Sequence, residues 1–153
     1  MHDLNGHSVA SFLEAMGADF EIREADGPVP AERGTFTMYI DGAWHLCTPR
    51  DGVVNTEDPV DCLDVAVLQD RVLAPLLGID DPRRSTRISF VGGIRGHQAL
   101  SRAVDEGAAV AFHMVPTGLD QLFRVADAGQ VMPPKSTWFE PKLREGVVVR
   151  SLR

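Results

Sequence analysis

Lys135, Ser136 and Thr137 stand side by side in VMPPKSTWFEPKLREG, residues 131–146, with a second lysine at Lys142. An ammonium group beside two hydroxyls suits a phosphate or a carboxylate. Pro133, Pro134 and Pro141 stiffen the flanks, and rigid flanks lower the entropy lost when a side chain is held on a ligand. Glu140 adds one carboxylate, a weak candidate for a general base. The same residues also describe an irregular connection pinned by Trp138 and Phe139, with its lysines in water.

A second stretch, FVGGIRGHQ at residues 90–98, sets Gly92, Gly93 and Gly96 between an apolar run and a helix-like pattern. Glycines there let backbone amides converge on an anion, and the helix N-terminus adds partial positive charge. Arg95 would close over the anion as a two-pronged donor. The spacing matches neither a Walker loop nor a dinucleotide fingerprint, and a tight turn needs glycine for its own reasons.

Histidine is the third source of chemistry. His2, His7, His45, His97 and His113 form no pair at zinc spacing, so no metal site is expected. His113 alternates with Ala109 and Ala111 in an apolar run, and small neighbours leave room for a ligand. It is a second weak candidate for the base, against the plainer reading of a buried histidine bonded to backbone. Asp61 and Asp64 fit helix capping, or Mg²⁺ beside a phosphate if the reaction is phosphoryl transfer.

These groups need a scaffold. Ser8 is placed to cap a helix in which Val9, Phe12, Leu13 and Met16 share one face. Residues 20–24 read as a strand, and Asp41-Gly42 between two β-rich runs predicts a type I′ hairpin. From Val60 the spacing of Val65, Leu68, Val72 and Leu76 predicts a helix, kinked at Pro75 and stopped at Gly78. Residues 87–93 read as a strand. The next helix, residues 96–107, should turn Ala99, Leu100, Ala103 and Val104 inward. Residues 108–116 form a strand covered on both faces. Thr117 and Asp120 resemble a capping box for a helix with Leu119, Leu122, Phe123 and Ala126 inward. Residues 146–152 predict a last strand. The expected architecture is α+β or α/β: one domain over 1–153, a two-layer mixed sheet with helices, and a strand–helix–strand unit at about 87–115.

The chain has 153 residues, enough for a sizeable core, and a hydrophobic share of 44% marks it as globular. A net charge of −7 argues against nucleic-acid binding, which needs clustered cations. Two cysteines without a CxxC pattern, no membrane-length apolar run and a polar start fit a cytoplasmic protein without a leader.

Taken together, HDLNG, LDVAVLQDRVLAPLLGIDD, ISFVGGIRG and the run from VAFHMVP to EGVVV resemble the C-terminal half of a bacterial and archaeal family, domain of unknown function 1015. The likeness covers nearly the whole chain, most securely residues 63–150, and MPPKSTWFEPKL is its most specific piece. It implies that Gly92, Gly93, Arg95 and Gly96, together with Lys135, Ser136, Thr137, Glu140, Pro141 and Lys142, are family-motif positions. It implies no established reaction, only an association with serine and phosphoserine metabolism. Family members are expected to be longer, with an N-terminal half of their own. A truncated chain, one half of a split protein and a stand-alone module all stay open.

Two functions follow as expectations. One is binding or processing of a small phosphorylated or carboxylated metabolite, as a phosphotransferase or phosphatase-like enzyme. The other is a non-catalytic interaction module that associates with itself or with a separate chain supplying the N-terminal half.

Overall fold

A computed structural model describes residues 1–30 and 32–137. It is an α+β fold built on an antiparallel sheet of order β1-β3-β2-β4. The strands are β1 (Phe20–Glu24), β2 (Phe36–Ile40), β3 (Ala43–Pro49) and β4 (Ala111–Met114).

Local rules build the first half as expected. Helix α1 (Val9–Met16) starts where the Ser8 hydroxyl accepts the Ser11 amide at 3.2 Å. Its Phe12 and Met16 are buried. Asp41 and Gly42 both have positive φ, 50° and 79°, as a type I′ turn requires, so β2 and β3 pair from Ile40↔Ala43 outward.

That closing pair sets the direction of every backbone group in β2. Ile40, Met38 and Phe36 bond toward β3, and Tyr39 and Thr37 toward β4, because the pairing alternates along an antiparallel ladder. Ala111 and His113 therefore bond to β2. The amides and carbonyls of Phe112 and Met114 point the other way, off the sheet edge.

Every residue of β2 is buried, which needs cover on both faces. On one face Phe36, Met38 and Ile40 meet Phe12, Met16, Val67, Val72 and Leu77 in the main core. Edge-to-face contacts run from Phe20 to Phe36 to Phe112, with centroids 5.3 and 5.8 Å apart. On the other face Tyr39 and Trp44 lie under α3 (Gly96–Asp105), and the Tyr39 hydroxyl donates to Asp105 at 3.2 Å. Helices thus cover both faces, where two layers were expected.

The segment from Val60 differs in kind. Helix α2 (Asp64–Leu68) widens into a π turn, Gln69–Leu73, with the Ala74 amide donating to the Gln69 carbonyl at 3.0 Å. Pro75 has no N–H to continue an α ladder, so the turn widens instead of kinking. Gly78, at φ 63°, ends it as expected.

Four further expectations are corrected. Residues 87–92 form no strand with any described residue, and all described pairing is antiparallel, so the described sheet is not mixed and no parallel strand–helix–strand unit forms among the described residues around 87–115. An apolar run makes a strand only where it finds a partner edge. In α3, Ala103 is exposed. In α4 (Leu119–Asp127) the buried residue is Val125, packed with Leu63 and Ala66, while Leu119 and Phe123 are 66% and 60% exposed. The α4 start is capped by Gln121, which accepts the Gly118 amide at 3.0 Å, not by Thr117 with Asp120. The predicted strand at 146–152 lies outside the described residues.

Candidate functional site

A groove of about 1280 Å³ opens beside the edge of β4 that pairs with no described strand. One wall is β4 with its exit, residues 111–119. The other is Ile88, Ser89, Phe90 and Val91, continuing to Gly93 and Ile94. Pro133 to Thr137 close one end.

That end is fastened by backbone and hydroxyl bonds. The Ser136 amide donates to the Pro133 carbonyl at 3.2 Å, closing a turn in which Lys135 has a φ of 63°. Pro134 and a positive φ at the next residue fit a type II turn. The Ser136 hydroxyl donates to Pro133 at 2.6 Å, and Thr117 Oγ1 donates to the Ser136 carbonyl at 2.9 Å. The Lys135 ammonium sits 5.9 Å from the centre of the Phe90 ring, a cation over an aromatic face.

Residues 1 and 2 close the other end. The Met1 nitrogen donates to the Val110 carbonyl and the Ala109 amide to the Met1 carbonyl, each at 2.8 Å. One residue facing two is a β-bulge in antiparallel pairing. The His2 amide donates to the Arg87 carbonyl at 3.0 Å. One extended chain therefore bridges the two walls at this end.

His113 lines the groove, yet small neighbours do not define its setting. Its ring lies 6.4 Å from Trp44, and Nδ1 is 2.8 Å from the Pro28 carbonyl oxygen. A carbonyl only accepts, so Nδ1 carries hydrogen and a neutral ring keeps its acceptor at Nε2. The backbone-bonded reading of this histidine is the one observed. His97 lies 6.5 Å from the same Trp44 ring.

The two motif stretches reach one groove only in part. Gly93, Lys135, Ser136 and Thr137 line it; Gly92, Arg95 and Gly96 do not. The Arg95 and Gly96 amides bond back to Gly92 and Gly93 in a 3-10 turn, Gly93–Arg95, so they do not converge on a shared anion position. Of these glycines Gly96 alone has positive φ, which explains one glycine by backbone need. Glu140 and Lys142 lie outside the described residues, as do Trp138, Phe139 and Pro141.

The aspartates proposed for a cation are engaged separately. Asp61 accepts from Asn55 Nδ2 and Asp64 from the Gly34 amide, both at 2.9 Å. Burial raises the Asp64 carboxyl above its usual range. Among the described residues no cluster of three or more His, Cys, Asp or Glu is placed to hold a metal. No described helix is long and apolar enough to cross a membrane.

What the sequence did not disclose is that the wall at 88–91 pairs with no described strand, and that the Pro28 carbonyl is an anchor. The apolar run at 87–91 was the available signal for the first. Nothing local marks the second, because any residue carries a carbonyl. No family model, curated protein or solved structure matches the chain.

Proposed function

We propose that this chain is a binding module whose groove holds a stretch of another polypeptide. The observation that carries this reading is the groove itself. Its volume of about 1280 Å³ exceeds the roughly 300–1,000 Å³ of small-molecule sites. Val29, Ile94 and Leu119 stand on its walls 58%, 78% and 66% exposed. Apolar side chains grouped in this way mark interaction surfaces more than solvent-facing ones do. The test is selection from a random dodecapeptide display library on the wild type, with Phe90→Asp and Leu119→Asp variants as controls. Peptides that bind the wild type and lose binding to both variants support the reading; no enrichment above a bare surface refutes it.

A second reading keeps the small anionic metabolite, phosphorylated or carboxylated. What favours it is that Gly93, Lys135, Ser136 and Thr137 line the same groove. Lys135 would supply the charge, and His113 Nε2 the proton acceptor if the bound molecule is processed. Phosphate, phosphoserine and ATP should then raise the melting temperature of the wild type and not of Lys135→Ala. No shift with any of the three counts against it.

A further inference from the structure

The sequence holds one Asn-Gly pair, Asn5-Gly6; the other asparagine, Asn55, precedes Thr56. The pair forms the centre of a tight turn, with φ of 55° and 85° and the His7 amide donating to the Leu4 carbonyl at 3.0 Å. Both residues are exposed, and the position of a Cβ on Gly6 is open space. The Gly6 amide donates to no described residue. It is a nucleophile next to an asparagine side chain, and glycine leaves the approach unhindered.

Asn5 is also a structural tie. Its Nδ2 donates to the Leu76 carbonyl at 3.2 Å, and its own amide donates to Asp3 at 2.8 Å. Asp3 holds Arg87, which donates to the next carbonyl, Leu77. The last carbonyls of a helical segment lack partners within it, and Asn5 and Arg87 serve two of them. Gly78 packs so closely on the Asn5 side chain that a Cβ there would meet Nδ2 and Oδ1 at 3.2 and 3.3 Å.

We propose that Asn5 is a self-modifying latch: it loses its side-chain amide in the folded chain, and the product releases the helical end at Leu76. The Gly6 nitrogen gives up its proton and bonds to Asn5 Cγ. The Cγ–Nδ2 bond breaks and ammonia leaves, which closes a five-membered imide. Water opens the ring. Cleavage at Cγ gives aspartate, and cleavage at the main-chain carbonyl gives isoaspartate. Nothing is oxidised or reduced. Neither product keeps the donor that faced Leu76. A carboxylate oxygen faces that carbonyl instead, beside Asp3 and at the negative end of the helical segment. The hydrogen bond to Leu76 also holds the leaving group in place, so the folded chain converts more slowly than an unfolded one.

The test holds the full chain at pH 8, folded and in urea, and follows the tryptic peptide 1–23 by mass. That peptide should gain the mass difference between an amide and a carboxylic acid, in aspartate and isoaspartate forms separable by chromatography. The same peptide from Asn5→Gln should hold its mass. The urea sample should convert at least about fivefold faster. Asn5→Asp, which makes one product directly, should melt about 2–4 °C below the wild type. A folded chain whose peptide 1–23 is unchanged when the urea sample has fully converted overturns the site. Equal rates in the two samples overturn the restraint by Leu76. An Asn5→Asp variant that melts with the wild type overturns the latch.

Discussion

Thr37 and His113, opposite each other on β2 and β4, both donate to one acceptor, the Pro28 carbonyl oxygen, at 2.6 and 2.8 Å. Thr37 is 1% exposed, so its hydroxyl has no water to turn to. The pair ties the loop before β2 to the sheet edge that borders the groove. It also fixes the histidine's tautomer without a carboxylate.

Thr37→Val removes one of the two donors while keeping the shape. The expected loss is about 1 kcal/mol, measured by urea unfolding. His113→Phe should cost a similar amount, and the double variant should cost less than the two together if the shared acceptor couples them. Strict additivity would show that the two bonds act independently.

Cys47 is wholly buried, and burial pushes its thiol up to about 12. The folded chain favours the neutral thiol, so the unfolded chain loses this proton first. The stabilisation is complete below about pH 9 and is lost as pH rises toward 12, at about 1.4 kcal/mol per pH unit. Iodoacetamide at pH 8 should label the half-buried Cys62 and spare Cys47 until urea is added. Equal labelling of both thiols in the native protein would contradict the burial.

Asp3 pairs with Arg87 through two hydrogen bonds, and Arg87 also donates to the Leu77 carbonyl at 2.8 Å. The Arg87 side chain, helped by the Asn5 amide, lowers the Asp3 carboxyl to about 2 from an ordinary 3.8. The stabilisation is present above about pH 4 and fades as pH falls toward 2. Wild type should melt above Asp3→Asn at pH 6, and the gap should close between pH 4 and 2. A gap constant across that range would refute the pairing.

Arg33 lies across Gly118 to reach Asp120, with nitrogen–oxygen distances of 2.6 and 3.0 Å. A Cβ at Gly118 would sit on the Arg33 guanidinium, whose central carbon is only 2.9 Å from that position. The arginine end is free to swing away, so Gly118→Ala should fold and lose the ion pair. The expected result is a small fall in melting temperature at low salt that vanishes in high salt. In an Asp120→Asn background the same substitution should do nothing more. A salt-independent loss would point to backbone disruption instead.

Features governed by neighbouring residues were legible in the sequence: the Ser8 cap, the Asp41-Gly42 hairpin and the stop at Gly78 each follow from one or two side chains. The faces of α4 were not. Leu119, Phe123 and Val125 are all apolar, and only the position of Leu63 and Ala66 selects Val125 for burial. The candidate site was half legible. The Lys135 turn and Gly93 do meet in one groove, but periodicity cannot tell that Arg95 closes a 3-10 turn outside it.

By itself the sequence determined the α+β class, most of the elements and the residues that end them, because these rest on short-range sterics and hydrogen bonds. Tertiary structure alone decided which apolar run obtained a partner edge. β4 found β2, while residues 88–91 pair with no described strand and line the groove. Strand pairing is a contact between distant parts of the chain, and no local pattern states which edges will meet.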